Sequence, residues 1–326
     1  MNIALALPDM AYNSYLHGMI WGEEIDALGL KAAFEKRPDT FVEIVTPNIL
    51  KYLEDSLNKV KFDIVIHFDY PTFKVKDAIN VLFFQQYYSD EIIDQAQPSF
   101  SSFDLVITNS KTTSERFNNV YYFPLAVDEE KFTPGTPNER YICDVVFIGN
   151  TRMRSLEQYD KYLLPAKDNN LHIYGTGWND QMFSAYHPYY KGSATFDEMI
   201  EIYRSARIVI SIHNEKYINK FGLVTNRIFH TISTGVVLIS DIHPVMMEMF
   251  PEGCGVLYTE GNKNTKDIIS KLLKNPEKQK EIINKGREVL YTQHTWSKRV
   301  EYLMSLLPSG NNITSSVEVK IGYYGH

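Results

Sequence analysis

The sequence predicts an α/β protein built as two doubly wound, Rossmann-like domains facing one another across a cleft. Three observations carry this. Short runs of apolar and β-branched residues alternate with segments of helical spacing along nearly the whole chain. Strands buried on both faces of a parallel sheet look like this, as continuous apolar runs rather than alternating ones. The length of 326 residues exceeds one typical core and suits two such domains. The alternation breaks once, at PLAVDEEKFTPGTPNER (residues 124–140), where three prolines, a glycine and a run of acidic residues read as a linker. The boundaries that follow are 1–130 for the amino-terminal domain, 131–305 for the carboxyl-terminal domain, and 306–326 for a tail expected to pack back on the first domain.

In chain order, Asn2 to Leu7 reads as the first strand, broken by Pro8 and Asp9, and Ser14 to Arg37 carries helical spacing. Phe41 to Val45 is a strand, Ile49 to Val60 a helix, Phe62 to Phe68 a strand ending in Asp69-Tyr70-Pro71, and Asn80 to Gln85 another. A polar-aromatic stretch from Gln86 to Asp90 follows, then a strand at Asp104 to Thr108, a short helix at Lys111 to Phe117 and a strand at Tyr121 to Pro124. In the second series, Asp144 to Ile148 and Leu171 to Tyr174 are strands, Thr195 to Ala206 a helix, and Ile208 to Ile212 a strand ending in His213-Asn214. Thr225, Asn226 and Arg227 open a helix that Gly235 ends, and Val236 to Ser240 is a buried strand. Gly255 to Tyr258 is a further strand and Thr265 to Lys274 a helix. Asn275-Pro276-Glu277 caps and starts the next helix, which runs to about Tyr291, and Trp296 to Leu307 is the last. A short strand is expected at Val317 to Ile321.

Composition narrows the function. The net charge of −7 argues against a nucleic-acid partner, which normally meets a basic domain. No run approaches the ~20 apolar residues of a membrane span, and the apolar stretch at the amino terminus is too short for a signal peptide, so a soluble cytoplasmic protein is expected. Cys143 and Cys254 have no metal-ligand spacing and are expected reduced. There is no phosphate-loop lysine motif, no Asp-x-Asp pair, no Gly-x-Ser-x-Gly elbow and no Cys/His cluster, so no bound metal or cofactor is expected.

Ligands of doubly wound sheets sit beyond the carboxyl ends of the strands. Those ends carry Gly, Asn, His and Arg in the second domain, which points to a phosphate-bearing ligand there. Gly149-Asn150-Thr151-Arg152-Met153-Arg154 follows a strand: glycine admits a ligand to the backbone, and Arg152 and Arg154 are positioned to neutralise a diphosphate. Gly175-Thr176-Gly177-Trp178 is a Gly-x-Gly after a strand, but position 180 is Asp where a dinucleotide fingerprint has glycine. Trp178 reads either as a stacking face or as core. Asn214 ends a strand, and Asn226 and Arg227 stand at a helix start, where unpaired N–H groups and a partial positive charge attract phosphate. In the first domain, Asp9, His17 and Asp69 are the candidates for a catalytic base, with His67 beside them.

Several segments together resemble a known family. CDVVFIGNTRMRSLEQ, LHIYGTGW, EIYRSARIVISIHNE, TNRIFHTISTGVVLISD, MFPEG, NPEKQKEIINKGREVL and HTWSKR are similar, in order and spacing, to the donor-binding half of GT-B glycosyltransferases, and most to the bacterial spore-maturation (CgeB-type) group. MIWGEEIDALGLKAAFEKR, VITNSKTTSERF and YYFPLAVDEEKF resemble parts of the acceptor domain of that group. The resemblance implies a metal-independent transfer of a sugar from a nucleotide donor, most simply a UDP-sugar, to a glycan, protein or lipid-linked acceptor, with a lean to retention. It places Gly149, Arg152 and Arg154 at the diphosphate, Gly175, Gly177 and Trp178 near the nucleotide, and Asn226 and Arg227 at the phosphate-binding helix. Where the family commonly has a glutamate for the ribose hydroxyls, this chain has His230 after Phe229, and Gly222 stands where the related Glu-x7-Glu pattern begins. A histidine there offers one hydrogen bond where a carboxylate accepts two. Two other readings remain open: a nucleotide-sugar epimerase on the same frame, and a binding protein that has lost turnover.

Overall fold

The computed structural model describes residues 1–308 other than 10, 13–21, 56–60, 69–72, 86–89 and 153, with residue 54 described in its backbone alone. The chain forms two compact units, Met1–Asp128 together with the segment from Thr295 on, and Glu129–His294.

The first unit holds strands β1 (Asn2–Ala6), β2 (Phe41–Val45), β3 (Ile64–His67), β4 (Ile79–Phe84), β5 (Leu105–Thr108) and β6 (Val120–Tyr122). They form one sheet in the order β2-β1-β3-β4-β5-β6 with every neighbouring pair parallel. All four residues of β3 and of β5 are buried, which is why these strands lack polar alternation. The helices are α1 (Gly22–Glu35), α2 (Pro47–Asp55), α3 (Asp90–Phe100) and α4 (Lys111–Arg116). The sequence reading does not anticipate α3: it buries Ile93, Ala96 and Phe100 at helical spacing, but Pro98 in its last turn reads as a breaker. A proline there costs one hydrogen bond close to an end already fraying, so the helix tolerates it.

The second unit holds β7 (Cys143–Ile148), β8 (Leu171–Tyr174), β9 (Ala206–Ser211), β10 (Val237–Asp241) and β11 (Val256–Thr259). The order is β11-β10-β9-β7-β8, again wholly parallel. Its helices are α5 (Leu156–Tyr162), α6 (Phe196–Ser205), α7 (Asn226–Thr234), α8 (Pro244–Met249), α9 (Asn262–Leu273) and α10 (Pro276–Gln293). Local signals explain several ends. Ser155 and Thr195 close capping boxes with Gln158 and Glu198. Gly235, at φ 81°, ends α7 in the left-handed conformation, as the sequence led one to expect. The core under the sheet is a cluster around Val145, Phe147, Tyr159, Ile173, Trp178 and Ile210. The later half of the proline-rich linker lies along this unit: Ser233 Oγ donates to the Phe132 carbonyl, and Arg204 Nε to that of Thr133 at 2.8 Å.

From Thr295 the chain joins the first unit through α11 (Trp296–Leu306). Helix α11 lies on α1, where a Cβ at Gly29 would sit 2.1 Å from Trp296 Cδ1, so the glycine makes room for the indole. Arg299, 1 % exposed, donates from Nε to the Pro124 carbonyl at 2.6 Å and from Nη2 to that of Leu125 at 3.4 Å. Residues 295–308 thus close the first unit rather than extend the second. The tail expected at 309–326, with its strand, lies outside the described residues.

Candidate functional site

In a parallel sheet every strand delivers its carboxyl end to the same edge, so in the second unit the loops leaving β7 to β10 gather there. The β7 and β8 loops are tied together. Gly149 N–H donates to the Tyr174 carbonyl at 2.9 Å and Thr151 N–H to that of Thr176 at 3.1 Å. A Cβ at Gly175 would lie 2.2 Å from Gly149 O, and one at Gly177 2.0 Å from Thr151 Oγ1. Both residues also have positive φ, 134° and 88°. These glycines are therefore required by contact of chain with chain. Trp178 is wholly buried, donates its indole N–H to Gly149 O at 2.8 Å and sits among Phe147, Tyr159, Phe183 and Tyr186. Of the two readings of Trp178, stacking face or core, the structure has the core one, and its indole supports the β7 loop.

Two arginines meet above that loop. Arg227, second residue of α7, holds its guanidinium 5.4 Å from the Phe147 ring centre and bonds Ser211 Oγ at 3.3 Å. A Cβ at Gly149 would lie 3.1 Å from Arg227 Nη2, so the missing side chain leaves space for the guanidinium. Arg154 stands over the same ring at 6.0 Å, and its Nε donates to the Ile212 carbonyl at 2.5 Å. Among the described residues neither guanidinium has a carboxylate partner. Burial lowers the Arg227 pKa, and the neighbouring Arg154 charge lowers it further, but an arginine remains cationic. Burial raises the phenol pKa of Tyr159 and of Tyr203, both close to Arg227, so both stay neutral. The N-cap of α7, Thr225, makes no side-chain capping bond, and its buried Oγ1 has no partner among the described residues. Two unpaired cations, an uncapped helix start and a hydroxyl without a partner make a site ready for a polyanion.

The other candidates of this unit fall as follows. Arg152 is exposed, and its N–H is held by Asn150 Oδ1 at 3.2 Å. Asn150 also accepts, through its carbonyl, the Tyr159 hydroxyl at 2.8 Å. Asn214 Oδ1 accepts the Lys216 N–H at 2.9 Å, and its carbonyl accepts the N–H of Tyr217, the first residue of the π-helical turn Tyr217–Phe221. Asn226, half-buried, is the first residue of α7. His230 departs from the expectation of a ribose contact. It is 2 % exposed and stacked on Phe132, with ring centres 3.9 Å apart and planes 5° apart. Burial, and then the Arg227 charge, push its pKa down to about 3, so it is neutral. The linker covers one face of the ring, which is enclosed rather than exposed.

Sequence reasoning did not single out Asp241 or Ser211, and named His213 only as a strand end. Asp241, at the end of β10 and 3 % exposed, accepts from the His213 N–H at 2.8 Å, from His213 Nδ1 at 2.7 Å and from Ser240 Oγ at 3.1 Å. Burial acts to raise its pKa, but the His213 contacts outweigh it and hold the carboxyl below its usual range. The neighbouring His243 is fixed as the Nε2–H tautomer, because Nε2 reaches the Leu223 carbonyl at 3.0 Å while Nδ1 accepts from Met246 N–H at 3.4 Å. Burial, then His213, lowers its pKa to about 4. The signal available in the sequence was the position of Asp241 and Ser211 at the carboxyl ends of apolar runs.

Of the catalytic-base candidates in the first unit, His17 and Asp69 lie outside the described residues. Asp9 is exposed and accepts from Asn48 Nδ2 at 3.2 Å. His67 is wholly buried, with Nε2 3.0 Å from Asn80 Oδ1, and burial lowers its pKa to about 4. Asn80 Oδ1 also accepts the Val75 N–H, so His67 is the donor in this contact and its ring is neutral.

Residues 154–305 match a family described as glycosyl transferase-like. A comparison with curated protein sequences found no match. Among solved structures, the chain is similar to an alpha-glucosyltransferase in complex with UDP and a 13-mer DNA, with TM-score 0.68, 13 % identity, and coverage of 94 % of this chain and 98 % of that one. It is similar to a mutant of the T4 phage protein BGT in complex with UDP-glucose, with TM-score 0.59, 14 % identity and the same coverages of 94 % and 98 %. It is similar also to sucrose-phosphate synthase from Thermosynechococcus elongatus, with TM-score 0.61, 12 % identity and coverages of 94 % and 98 %. The fold is that of the GT-B glycosyltransferases: an α/β chain with a parallel sheet in each of two Rossmann-like halves. No helix among the described residues is long and apolar enough to cross a membrane.

Proposed function

We propose that this protein is a glycosyltransferase that takes a sugar from a nucleotide-sugar donor, a UDP-sugar, and passes it to an acceptor hydroxyl without a bound metal. The observation that carries this reading is the pair Arg154 and Arg227, two guanidinia over one aromatic ring and without a carboxylate between them, next to the uncapped start of α7. The glycosyl transferase-like match over residues 154–305 supports transferase activity in the unit that holds this pair.

The chemistry follows from charge. Breaking the bond between the anomeric carbon and the donor phosphate leaves a nucleoside diphosphate on which negative charge grows. Fixed cations and a helix amino terminus interact more strongly with that charge in the transition state than in the ground state, and only such a difference accelerates the step. Arg227 is held by Ser211 and Phe147, and Arg154 by the Ile212 carbonyl, so little reorganisation is needed as the charge develops. On the resemblance of the sequence, the acceptor is a glycan, a protein or a lipid-linked sugar, and the transfer retains anomeric configuration.

A binding protein without turnover is the second reading, favoured by one observation: His230, in place of the family's ribose carboxylate, is turned onto Phe132 and enclosed. Incubation with UDP-sugars separates the two. Release of UDP by the wild type that is lost in Arg154→Ala, with the fold intact, supports the enzyme. Tight UDP-sugar binding with no UDP release under any acceptor supports the binding protein.

A further inference from the structure

A bare pair of arginines must be held apart from any carboxylate that would neutralise it, and yet be held in place. The surroundings of the Ile212–His213 peptide resolve this. The N–H of that peptide belongs to His213 and donates to Asp241 Oδ2 at 2.8 Å. Its C=O belongs to Ile212 and accepts from Arg154 Nε at 2.5 Å. One planar group therefore carries a carboxylate at one end and a guanidinium at the other. A peptide is rigid about its C–N bond, so fixing the direction of the N–H fixes that of the C=O. Both hydrogen bonds are charge-assisted, and each polarises the group in the sense that strengthens the other.

We propose that Asp241 is a positioning residue for the anion site, holding Arg154 in place through the single peptide unit between Ile212 and His213. This rests on the reading of Arg154 and Arg227 as the diphosphate site. Asp241 is itself fixed, since His213 Nδ1 at 2.7 Å and Ser240 Oγ at 3.1 Å complete its coordination. A second tie acts on the next peptide, whose carbonyl, that of His213, accepts from Gln158 Nε2 of α5 at 3.4 Å. The arrangement also accounts for the missing ion pair. A carboxylate directly on Arg154 would compete with phosphate for the guanidinium and repel it. Placed one peptide away, it aims the guanidinium without occupying it.

The test is a double-mutant cycle read by calorimetric titration of UDP and, separately, of uridine. Asp241→Asn keeps an amide oxygen able to accept the His213 N–H, whereas Asp241→Ala removes the acceptor. UDP affinity is expected to fall in the order wild type, Asp241→Asn, Asp241→Ala, by roughly tenfold over the series, a size usual for coupled neighbours. Uridine affinity should not change. In an Arg154→Gln background the Asp241 variants should have no further effect on UDP. Equal losses for UDP and uridine, or the same losses in both backgrounds, would assign Asp241 a merely structural role and overturn the proposal. Should Asp241→Ala not fold, the Asp241→Asn arm of the cycle decides alone. Wild type that binds UDP, with Asp241 variants that bind it equally well, overturns this inference and leaves the functional reading standing. Wild type that binds no nucleoside diphosphate overturns the functional reading and this proposal with it.

Discussion

Replacing His230 with glutamate supplies on paper the carboxylate that the sequence resemblance leads one to expect there, and the structure expects it to fail. The ring is 2 % exposed and stacked on Phe132 at 3.9 Å, so the new carboxylate would be buried beneath the linker. A buried carboxyl group resists ionisation, with shifts that reach several pKa units. Taking a rise of about 2 to 3 units, at about 1.4 kcal/mol per unit, the variant loses about 3 to 4 kcal/mol at neutral pH. Loss of the stack adds about 0.5 to 1.5 kcal/mol. The sign with pH follows: a folded pKa above the unfolded value of about 4.3 means the folded state holds its proton longer. The loss is therefore small near pH 5 and grows as pH rises toward the folded value. Urea unfolding of wild type, His230→Glu and His230→Gln at pH 5 and pH 8 measures it. The glutamine variant should show only the stacking loss at pH 8 and a smaller loss at pH 5, where keeping the buried His230 neutral already costs the wild type stability. His230→Glu as stable as wild type at pH 8, and binding UDP more tightly, would show that position 230 faces the ligand and that the reasoning is wrong.

Three further outcomes follow from the geometry. Gly29→Ala places a methyl 2.1 Å from Trp296 Cδ1, so despite its better helix propensity it should destabilise the first unit by about 1 to 3 kcal/mol in a thermal melt. Gly177→Ala drives a Cβ into Thr151 Oγ1 at a backbone φ of 88°, so it should disturb the β7 loop and weaken UDP binding. Partial relief by a Thr151→Gly partner in the same titration would tie the effect to this contact. His67, His243 and His230 have folded pKa values of about 4, 4 and 3, below the unfolded value of about 6.5. Unfolded chains take up these protons first, so stability is full above pH 6.5 and falls below it, by up to about 1.4 kcal/mol per pH unit for each histidine. Denaturant titrations from pH 7 to pH 4 should show this slope, reduced in His230→Gln.

Much of the fold was legible because parallel strands buried on both faces have an unmistakable composition. Phe41–Val45 and Leu171–Tyr174 agree residue for residue with the expected strands, and the capping residues Thr195, Gly235 and Asn275 mark helix ends as expected. Helix α3 was hidden by Pro98, and α8 by its brevity, six residues opened by a histidine cap rather than one of the common capping residues. At the site, Arg154 and Arg227 were legible as permanent charges at a strand exit and a helix start. The role of Trp178 was not, because a tryptophan after a Gly-x-Gly turn looks the same whether it faces ligand or core, and only its bond to Gly149 O decides. The enclosure of His230 depends on Phe132, 98 residues away in the chain, and no local pattern encodes such a pairing. Asp241 escaped notice for the same reason: its main partner, His213, stands just beyond the end of the neighbouring strand, 28 residues earlier.

The most direct measurement of the central claim is a calorimetric titration of UDP against UMP in wild type, Arg154→Ala and Arg227→Ala, each checked for an intact fold. The account predicts that wild type binds UDP, that either substitution weakens it by roughly tenfold or more, and that UMP, lacking the second phosphate, loses much less. UDP binding that is unchanged by both substitutions would contradict it.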